Sequence, residues 1–145
     1  MQVDFYQLSR DPVEQVLPAI AGRILGLGAR LLVVAQEEDQ LARISDGLWA
    51  GPPDSFLAHG RANEDGAAHQ PILLGATCDA ANGARHIALA DGLWPEEAIG
   101  FERAFFFFND ETIEGARASW RDLSKRDGIV ARYFRQDGRK WVQMA

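Results

Sequence analysis

The sequence predicts a three-layer α/β fold, in which helices cover both faces of a mostly parallel central sheet. Strand-like and helix-like segments alternate from the start of the chain, and several of the strands are continuous apolar runs, as in strands buried on both faces. The last segment, GIVARYFRQDGRKWVQ, predicts a hairpin that turns at Asp137-Gly138. These observations together indicate a Rossmann-like fold that ends in a C-terminal hairpin.

The first half of the chain reads as strand, helix, strand, helix. VDFYQL (Val3–Leu8) alternates and is rich in residues that favour strands. VEQVLPAIAGRIL then spaces its apolar residues as a helix does, with Pro18 tolerated or bending it, and Gly26 and Gly28 ending it. ARLLVVA is a buried strand, and EEDQLARISDGLW is a second helix. This order predicts parallel pairing with right-handed crossovers.

The second half begins with a segment rich in Pro, Gly and Ala, residues 50–70, which we predict to be one long loop. Loops of that length are often functional. Strands follow at PILLGA, HIALAD and AFFFFN, and we predict a third helix over Thr112–Asp127. The link between the first two of these strands is too short for a helical crossover and carries an Asn82-Gly83 turn signal. With no repeat and no linker in sight, we expect a single domain over residues 1–145.

Composition restricts the classes of function. The chain has 145 residues, of which 47% are apolar and 25% are charged, as in an ordinary globular protein. The sequence contains neither a long apolar run nor a basic-then-apolar amino terminus, so we expect no membrane span and no signal peptide. Cys78 is the single cysteine and cannot form an internal disulfide, which fits a reducing cytoplasm.

The distribution of charge is uneven. The formal net charge of −6 argues against nucleic-acid binding by the surface as a whole, and we expect little direct binding to DNA. Residues Gly115–Ala145, however, contain eight Lys or Arg against three Asp, so this end is basic and the rest is acidic. A basic end on an acidic body predicts a local anion-binding face, and the alternative is a solvated helix and hairpin.

No catalytic constellation stands out, and we predict no cofactor and no metal. The Gly-x-Gly at Gly26–Gly28 closes a helix, whereas a dinucleotide fingerprint opens one. His59, His69 and His86 lack the spacing of metal ligands, and Cys78 has no neighbouring cysteine. The run Phe105–Phe108 fits a central strand covered on both sides better than a platform for stacked bases, because successive residues of a strand face opposite ways.

The third helix carries the clearest binding signal. Arg117 and Arg121 are one turn apart, and Trp120 lies on the same face. Two guanidinium groups beside an indole suit a peptide that is both acidic and apolar, because arginine can hold a carboxylate with two hydrogen bonds. The alternative is that Trp120 packs inward and the two arginines only line the solvent edge, and the spacing does not decide between them.

Four segments, in this order, resemble the chi subunit of bacterial DNA polymerase III holoenzyme: VDFYQL, LLVVAQEEDQLARISDGLWAGPPDSFLAHG, QPILL and GARASWRDLSKRDG. The resemblance spans essentially the full length. Its most specific part is the pattern LW…P.SF..H, formed by Leu48, Trp49, Pro53, Ser55, Phe56 and His59.

This resemblance implies an α/β fold like that of nucleotide-binding proteins but without a nucleotide site. It implies a non-catalytic accessory subunit in DNA replication, which links the clamp-loader assembly to the C-terminal tail of the single-stranded DNA-binding protein. That tail is acidic and ends in Pro-Phe. Some members of the family also bind a small helical partner, the psi subunit, through an apolar surface.

The resemblance also assigns residues to these contacts. The tail-binding positions of the family match Arg117, Trp120 and Arg121, with Trp and Arg where Tyr and Lys are familiar. A further family lysine falls near Ile113 or Glu114, so that contact is expected to be missing.

The psi-facing aromatic residues of the family match Trp49 and Phe56, with His59 beside them. Three alternatives stay open from the sequence. Trp49 and Phe56 could be plugs in the core, or they could form a homodimer contact. The chain could also be a small cytoplasmic α/β enzyme or a nucleotide-binding protein with an unrecognised site.

Overall fold

A computed structural model describes residues 1–51, 56–138 and 140–145 of the chain. The strands are β1 (Gln2–Gln7), β2 (Leu31–Val34), β3 (His59–Arg61), β4 (Ile72–Gly75), β5 (His86–Leu89), β6 (Arg103–Phe108), β7 (Val130–Asp137) and β8 (Lys140–Gln143). The helices are α1 (Val13–Gly26), α2 (Glu38–Trp49) and α3 (Ile113–Leu123). None of the helices in these three ranges is long and apolar enough to cross a membrane.

The strands form one eight-stranded sheet in the order β3-β4-β2-β5-β6-β1-β7-β8. Neighbouring strands run parallel except β7 and β8, which form the antiparallel C-terminal hairpin. The predicted fold class is therefore confirmed. The early strand–helix–strand order gave the correct directions, although β1 and β2 are not neighbours, because β5 and β6 lie between them.

Two hydrophobic cores lie on opposite sides of this sheet. On the first face, α1 and α2 pack against alternate residues of the strands, including Leu31, Val33 and Phe107. On the second face, α3 and the links before β5 and β6 cover the other residues of the same strands, including Phe5 and Phe106. The run Phe105–Phe108 is buried throughout and divides between the two cores, as predicted for a central strand.

The segment 50–70 differs from the prediction of one long loop. It contains the short edge strand β3 and a turn of 3-10 helix at Ala67–His69. A strand of three residues, two of them polar, is too short to show an alternating pattern, so no sequence pattern indicates it. The third helix is also shorter than predicted, since it ends at Leu123 rather than near Asp127.

The end of α2 is fixed by close packing against α1. Gly47 lies directly on the backbone of α1, since a Cβ atom built there would be 2.3 Å from the carbonyl oxygen of Glu14. Any larger residue at this position would push the helices apart. Trp49, the last residue of α2, is thereby held beside β3 at one edge of the sheet.

A buried carboxylate joins the three neighbouring strands β6, β1 and β7, away from the β3 edge. Asp4 of β1 is fully buried and accepts hydrogen bonds from Arg103 of β6 and Arg132 of β7, at 2.6–3.1 Å. Burial by itself would raise the pKa of Asp4, but the hydrogen bonds from Arg132, Arg103 and Gln2 outweigh it and lower that pKa. Asp4 is therefore held as a carboxylate between two arginines.

Candidate protein-binding surfaces

The first candidate surface is the aromatic patch, formed by Trp49, Phe56 and His59. Trp49 is 52% exposed and Phe56 is 68% exposed. Their rings contact each other, with centroids 5.3 Å apart. The alternative that these two residues are core plugs is therefore wrong. Pro53 and Ser55, which belong to the sequence pattern that singled out this patch, lie outside the described residues.

His59 fixes the position of the patch through its own hydrogen bonds. Its Nδ1 lies 2.9 Å from the carbonyl oxygen of Leu57, and its Nε2 lies 2.8 Å from the hydroxyl of Ser45. A carbonyl oxygen can only accept, so Nδ1 carries the proton and Nε2 accepts from Ser45. The ring centroid of His59 is 4.4 Å from that of Trp49. His59 thus supports the indole of Trp49, which explains why a histidine belongs to this pattern.

A polar rim borders the aromatic patch on the side of β3. A cavity of ≈ 610 Å³ opens there, between α2 and the turn after β3. Arg61 donates to both carboxylate oxygens of Glu38, at 2.8 Å and 2.7 Å. The hydrogen bond from Arg61 is the main reason why the pKa of Glu38 is lowered. An exposed apolar centre with a charged rim is the usual anatomy of a protein–protein interface.

The outer edge of β3 is closed to further strands. The backbone N–H of Arg61 donates to the side chain of Glu64 at 2.9 Å, and the N–H of Glu64 donates back to the carbonyl oxygen of Arg61 at 3.2 Å. These groups would otherwise pair with an added strand. A partner at this edge would therefore bind the side chains of the aromatic patch rather than extend the sheet.

The second candidate surface surrounds α3. Trp120 is half-buried, and its ring packs edge-on against Phe5 and Tyr133, with centroids 5.2 Å and 6.2 Å away. It belongs to the second core rather than standing free on the surface. The sequence left open whether Trp120 faces inward or outward. In the structure its ring is partly buried, packed between α3 and the sheet.

The two arginines of this helix are exposed. Arg117 donates to Glu114, one turn earlier, at 2.8 Å, and both side chains are largely in solvent. An exposed pair of this kind adds little to stability, so an incoming carboxylate can displace Glu114 at low cost. Arg121 is one turn further along the helix, which extends the positive edge.

A groove between α3 and β7 lies beside these arginines. The α3–β7 groove has a volume of ≈ 260 Å³ and is lined by Phe5, Gln7, Phe108, Ile113, Ala116, Arg117, Tyr133 and Arg135. Five of these eight residues are aromatic or aliphatic, and Arg117 and Arg135 add positive charge to the lining. The hydroxyl of Tyr133 donates to the side chain of Gln7, which fixes the wall formed by β7.

Arg135 was counted in the basic C-terminal segment but was not assigned to a site from the sequence. The signal for it was the alternation of β7, which places Tyr133 and Arg135 on the same face. That signal needed the sheet order, because only the pairing of β7 with β1 brings both residues over Phe5 and next to α3.

The carboxyl ends of β1, β5 and β6 border a further crevice of ≈ 530 Å³. Ligands of open α/β sheets commonly bind in such crevices. Here, however, the backbone N–H groups of Ser9 and Arg10 both donate to the side-chain oxygen of Gln136, at 3.3 Å and 3.2 Å. Gln136 thus occupies the amides that a phosphate would need at the turn after β1.

The other residues considered for chemistry remain apart. No group of His, Cys, Asp or Glu in the described ranges is arranged to hold a metal ion. Burial raises the pKa of the Cys78 thiol, and the charge of Glu97 raises it further, which disfavours the reactive thiolate. The interpretation of Gly26–Gly28 as the end of a helix is confirmed, since α1 ends at Gly26 and Gly28 has a φ of 77°.

Comparison with known proteins gives a consistent result. The family described as "DNA polymerase III chi subunit, HolC" matches residues 1–130. The DNA polymerase III subunit chi of Escherichia coli (strain K12) is 32% identical over 77 residues, which is 48% of this chain and 52% of that protein. The aligned region therefore spans about half the length of that relative. Because the family match covers most of the chain, the protein belongs to the DNA polymerase III chi subunit family.

Proposed function

We propose that the protein is a non-catalytic accessory subunit of the DNA polymerase III holoenzyme in the cytoplasm. In this role it links the clamp-loader assembly to the acidic C-terminal tail of the single-stranded DNA-binding protein. The α3–β7 groove is the observation that carries the proposal, because it combines aromatic and aliphatic lining residues with two arginines. The family match supports the polymerase assembly as the setting.

The groove has the size required for the end of such a tail. Its volume of ≈ 260 Å³ exceeds the ~150 Å³ of a cavity that takes up benzene, so it can admit the ring of a terminal phenylalanine. Phe5 and Phe108 are almost fully buried, so the half-buried Tyr133 is the lining residue that can offer that ring a tilted or edge-on aromatic contact.

The charges around the groove suit the rest of the tail. Arg117 and Arg135 can hold the terminal carboxylate, and Arg121 extends the positive edge towards acidic residues further back. The acidic body of the protein would repel the tail elsewhere, so attraction is confined to this end. Trp120 packs against Phe5 and Tyr133, two residues that line the groove, and so helps to hold that lining in place.

The aromatic patch would bind the second partner, a psi-like or other clamp-loader subunit. Trp49 and Phe56 are large, exposed and mutually packed, as in the residues that dominate binding energy at interfaces. The patch lies at the β3 edge and the groove lies near β7, at opposite ends of the sheet order, so both partners can be bound together.

Changes to the peptide test the tail-binding proposal. A synthetic acidic peptide that ends in Pro-Phe should bind the wild-type protein in isothermal titration calorimetry. Amidation of its terminal carboxylate, or replacement of its last residue by alanine, should each weaken binding about tenfold or more, because each removes a charge-assisted hydrogen bond or the buried ring. The affinity should fall steeply as salt is raised.

Two protein variants complete the test. Arg117→Ala should lose affinity for the peptide, whereas Arg85→Ala should not, because Arg85 is also exposed and paired with a glutamate, Glu102, but does not line the groove. Equal binding of the intact and the amidated peptide, or equal binding by the two variants, would contradict the proposal.

A further inference from the structure

A second cluster of arginines lies on the opposite face of the sheet from α3. Arg23 of α1 and Arg103 of β6 line a small cavity of ≈ 140 Å³ together with Tyr6, Phe105 and Leu27. Arg132 joins them from β7 through the shared carboxylate of Asp4. Residues 6, 23, 103 and 132 are far apart in the sequence, so only the order of β6, β1 and β7 brings them together.

The donors of this cluster are only partly used. Arg103 and Arg132 each hold Asp4 through Nε and Nη2, and their Nη1 groups make no hydrogen bond with a described residue. Both side chains remain about one third exposed. Arg23 is exposed and has no ion-pair partner among the residues outside 52–55 and 139. A guanidinium fixed at one end by a buried carboxylate is a preorganised donor at the other.

Tyr6 contributes a further donor to the cavity. Its side chain is only 6% exposed and is stacked on Phe134, with ring centroids 5.1 Å apart. The hydroxyl makes no hydrogen bond to the described part of the chain and is not enclosed by it, so it is open to a ligand in the cavity. Burial raises the pKa of this phenol, and the charge of Asp4 raises it further, so the hydroxyl stays protonated and can donate.

The charge of the cluster indicates which ligand it suits. Three arginines and one carboxylate leave two positive charges around the cavity. The remaining nearby charges do not cancel them, because Glu102 pairs with Arg85 and burial lowers the pKa of His86, which keeps it neutral. The last carbonyl groups of α1 are already hydrogen-bonded to the turn that follows it. A small dianion is therefore the matching ligand.

We propose that Tyr6, Arg23, Arg103 and Arg132 form a binding site for a phosphate dianion, either free phosphate or a small phosphomonoester. A cavity of ≈ 140 Å³ has room for one such group and not for a nucleotide. Every polar group that faces it is a donor, as a fully ionised phosphate requires. Asp4 acts behind the site as a positioning residue for two of the arginines.

The experiment is an NMR titration of the ¹⁵N-labelled full chain with inorganic phosphate, at constant pH and ionic strength. Saturable shifts are expected at the amides of Tyr6, Arg23 and Arg103. Tyr6→Phe keeps the ring and removes the hydroxyl, and Arg23→Ala removes an exposed cation, so both should fold. Each should weaken binding about tenfold, because each removes one charged or charge-assisted contact. Arg85→Ala is the matched control and should titrate as the wild type does.

Two further ligands identify the source of the phosphate group. Methyl phosphate in place of inorganic phosphate shows whether a monoester is accepted, and acetate tests whether any small anion suffices. Absence of saturable shifts with both phosphates, identical titrations of the wild type, Tyr6→Phe and Arg23→Ala, or acetate binding as tight as phosphate would each overturn the proposal. The site lies on the face away from the α3–β7 groove, so these outcomes leave the tail-binding proposal unaffected.

Discussion

The aromatic patch contains Trp49, and Trp120 lies next to the α3–β7 groove; the sequence singled out both tryptophans, but their surroundings differ. Trp49 is half exposed and rests on His59 and Phe56, at the end of a helix. Trp120 packs on Phe5 and Tyr133 and belongs to a core. A tryptophan near a binding surface can thus be the contact itself or a core residue that supports the residues lining a neighbouring groove.

The same contrast holds for charge. At the aromatic patch the charges form a rim in which Arg61 is already paired with Glu38. At the groove, Arg117 has only an exposed partner, and Arg135 faces the opening. The patch therefore suits a mainly apolar partner, and the groove suits an acidic one.

The largest effect is expected from the buried ion pairs that join β1, β6 and β7, on the face of the sheet opposite the groove. Asp4→Asn should lower the free energy of unfolding by ~3 kcal/mol at neutral pH, since it leaves two arginines without their carboxylate. The pKa of Asp4 is lowered in the folded state, so its stabilisation is complete above its ordinary pKa and is lost as pH falls through the folded pKa. Urea denaturation at several pH values should show a constant difference between wild type and variant down to about pH 4, which shrinks below it. A difference that grows in acid would contradict this assignment.

The next effect separates the two tryptophans directly. Trp120→Ala should cost about 2 kcal/mol of unfolding free energy, because it removes contacts with Phe5 and Tyr133. Trp49→Ala should cost less than about 1 kcal/mol, because half of its side chain is already in water. Chemical denaturation of the two variants provides the comparison. Equal losses of unfolding free energy would contradict the distinction between a core tryptophan and a surface tryptophan.

At the aromatic patch we expect a small effect on stability and a larger effect on binding. Phe56→Ala should leave stability nearly unchanged, because Phe56 is 68% exposed, but should weaken capture of the purified clamp-loader assembly by roughly 2 kcal/mol, as for an interface hot spot. Arg117→Ala is the matched control and should bind the assembly normally. Retained affinity in Phe56→Ala would exclude the patch as the docking surface.

The smallest effect concerns the residue that the sequence did not assign. Arg135→Ala should reduce affinity for the acidic tail peptide by about 1 kcal/mol, since it removes one cation from the rim of the groove. Arg10→Ala, an exposed arginine away from the groove, should have no effect. Fluorescence anisotropy with a labelled peptide would resolve the difference, and no loss in Arg135→Ala would confine the site to α3.

The fold could be predicted largely because its strands are long apolar runs. The apolar runs of β2, β4 and β6 predicted buried strands, and the Asp137-Gly138 turn predicted the final hairpin correctly. β3 could not be found, because its three residues show no periodicity and it forms only by pairing with β4. The order of the sheet was also hidden, since nothing local to β1 and β2 indicates that β5 and β6 insert between them.

The candidate sites show the same difference between residues that are close in the sequence and residues that only the fold brings together. Residues close in sequence, such as Arg117, Trp120 and Arg121, could be grouped from helical spacing alone. Arg135 and Asp4 could not be placed, because their partners lie on strands that are distant in the sequence. Helical periodicity likewise could not say how far Trp120 turns inward, since that depends on the strand packed beneath it.

The central claim is that the acidic tail binds in the α3–β7 groove and not at the aromatic patch. The most direct measurement is an NMR titration of the ¹⁵N-labelled protein with an acidic peptide that ends in Pro-Phe. The predicted result is a set of saturable shifts at Ile113, Arg117, Tyr133 and Arg135, with Trp49 and His59 unaffected. Shifts centred on Trp49 and His59, or no saturable shifts at all, would contradict it.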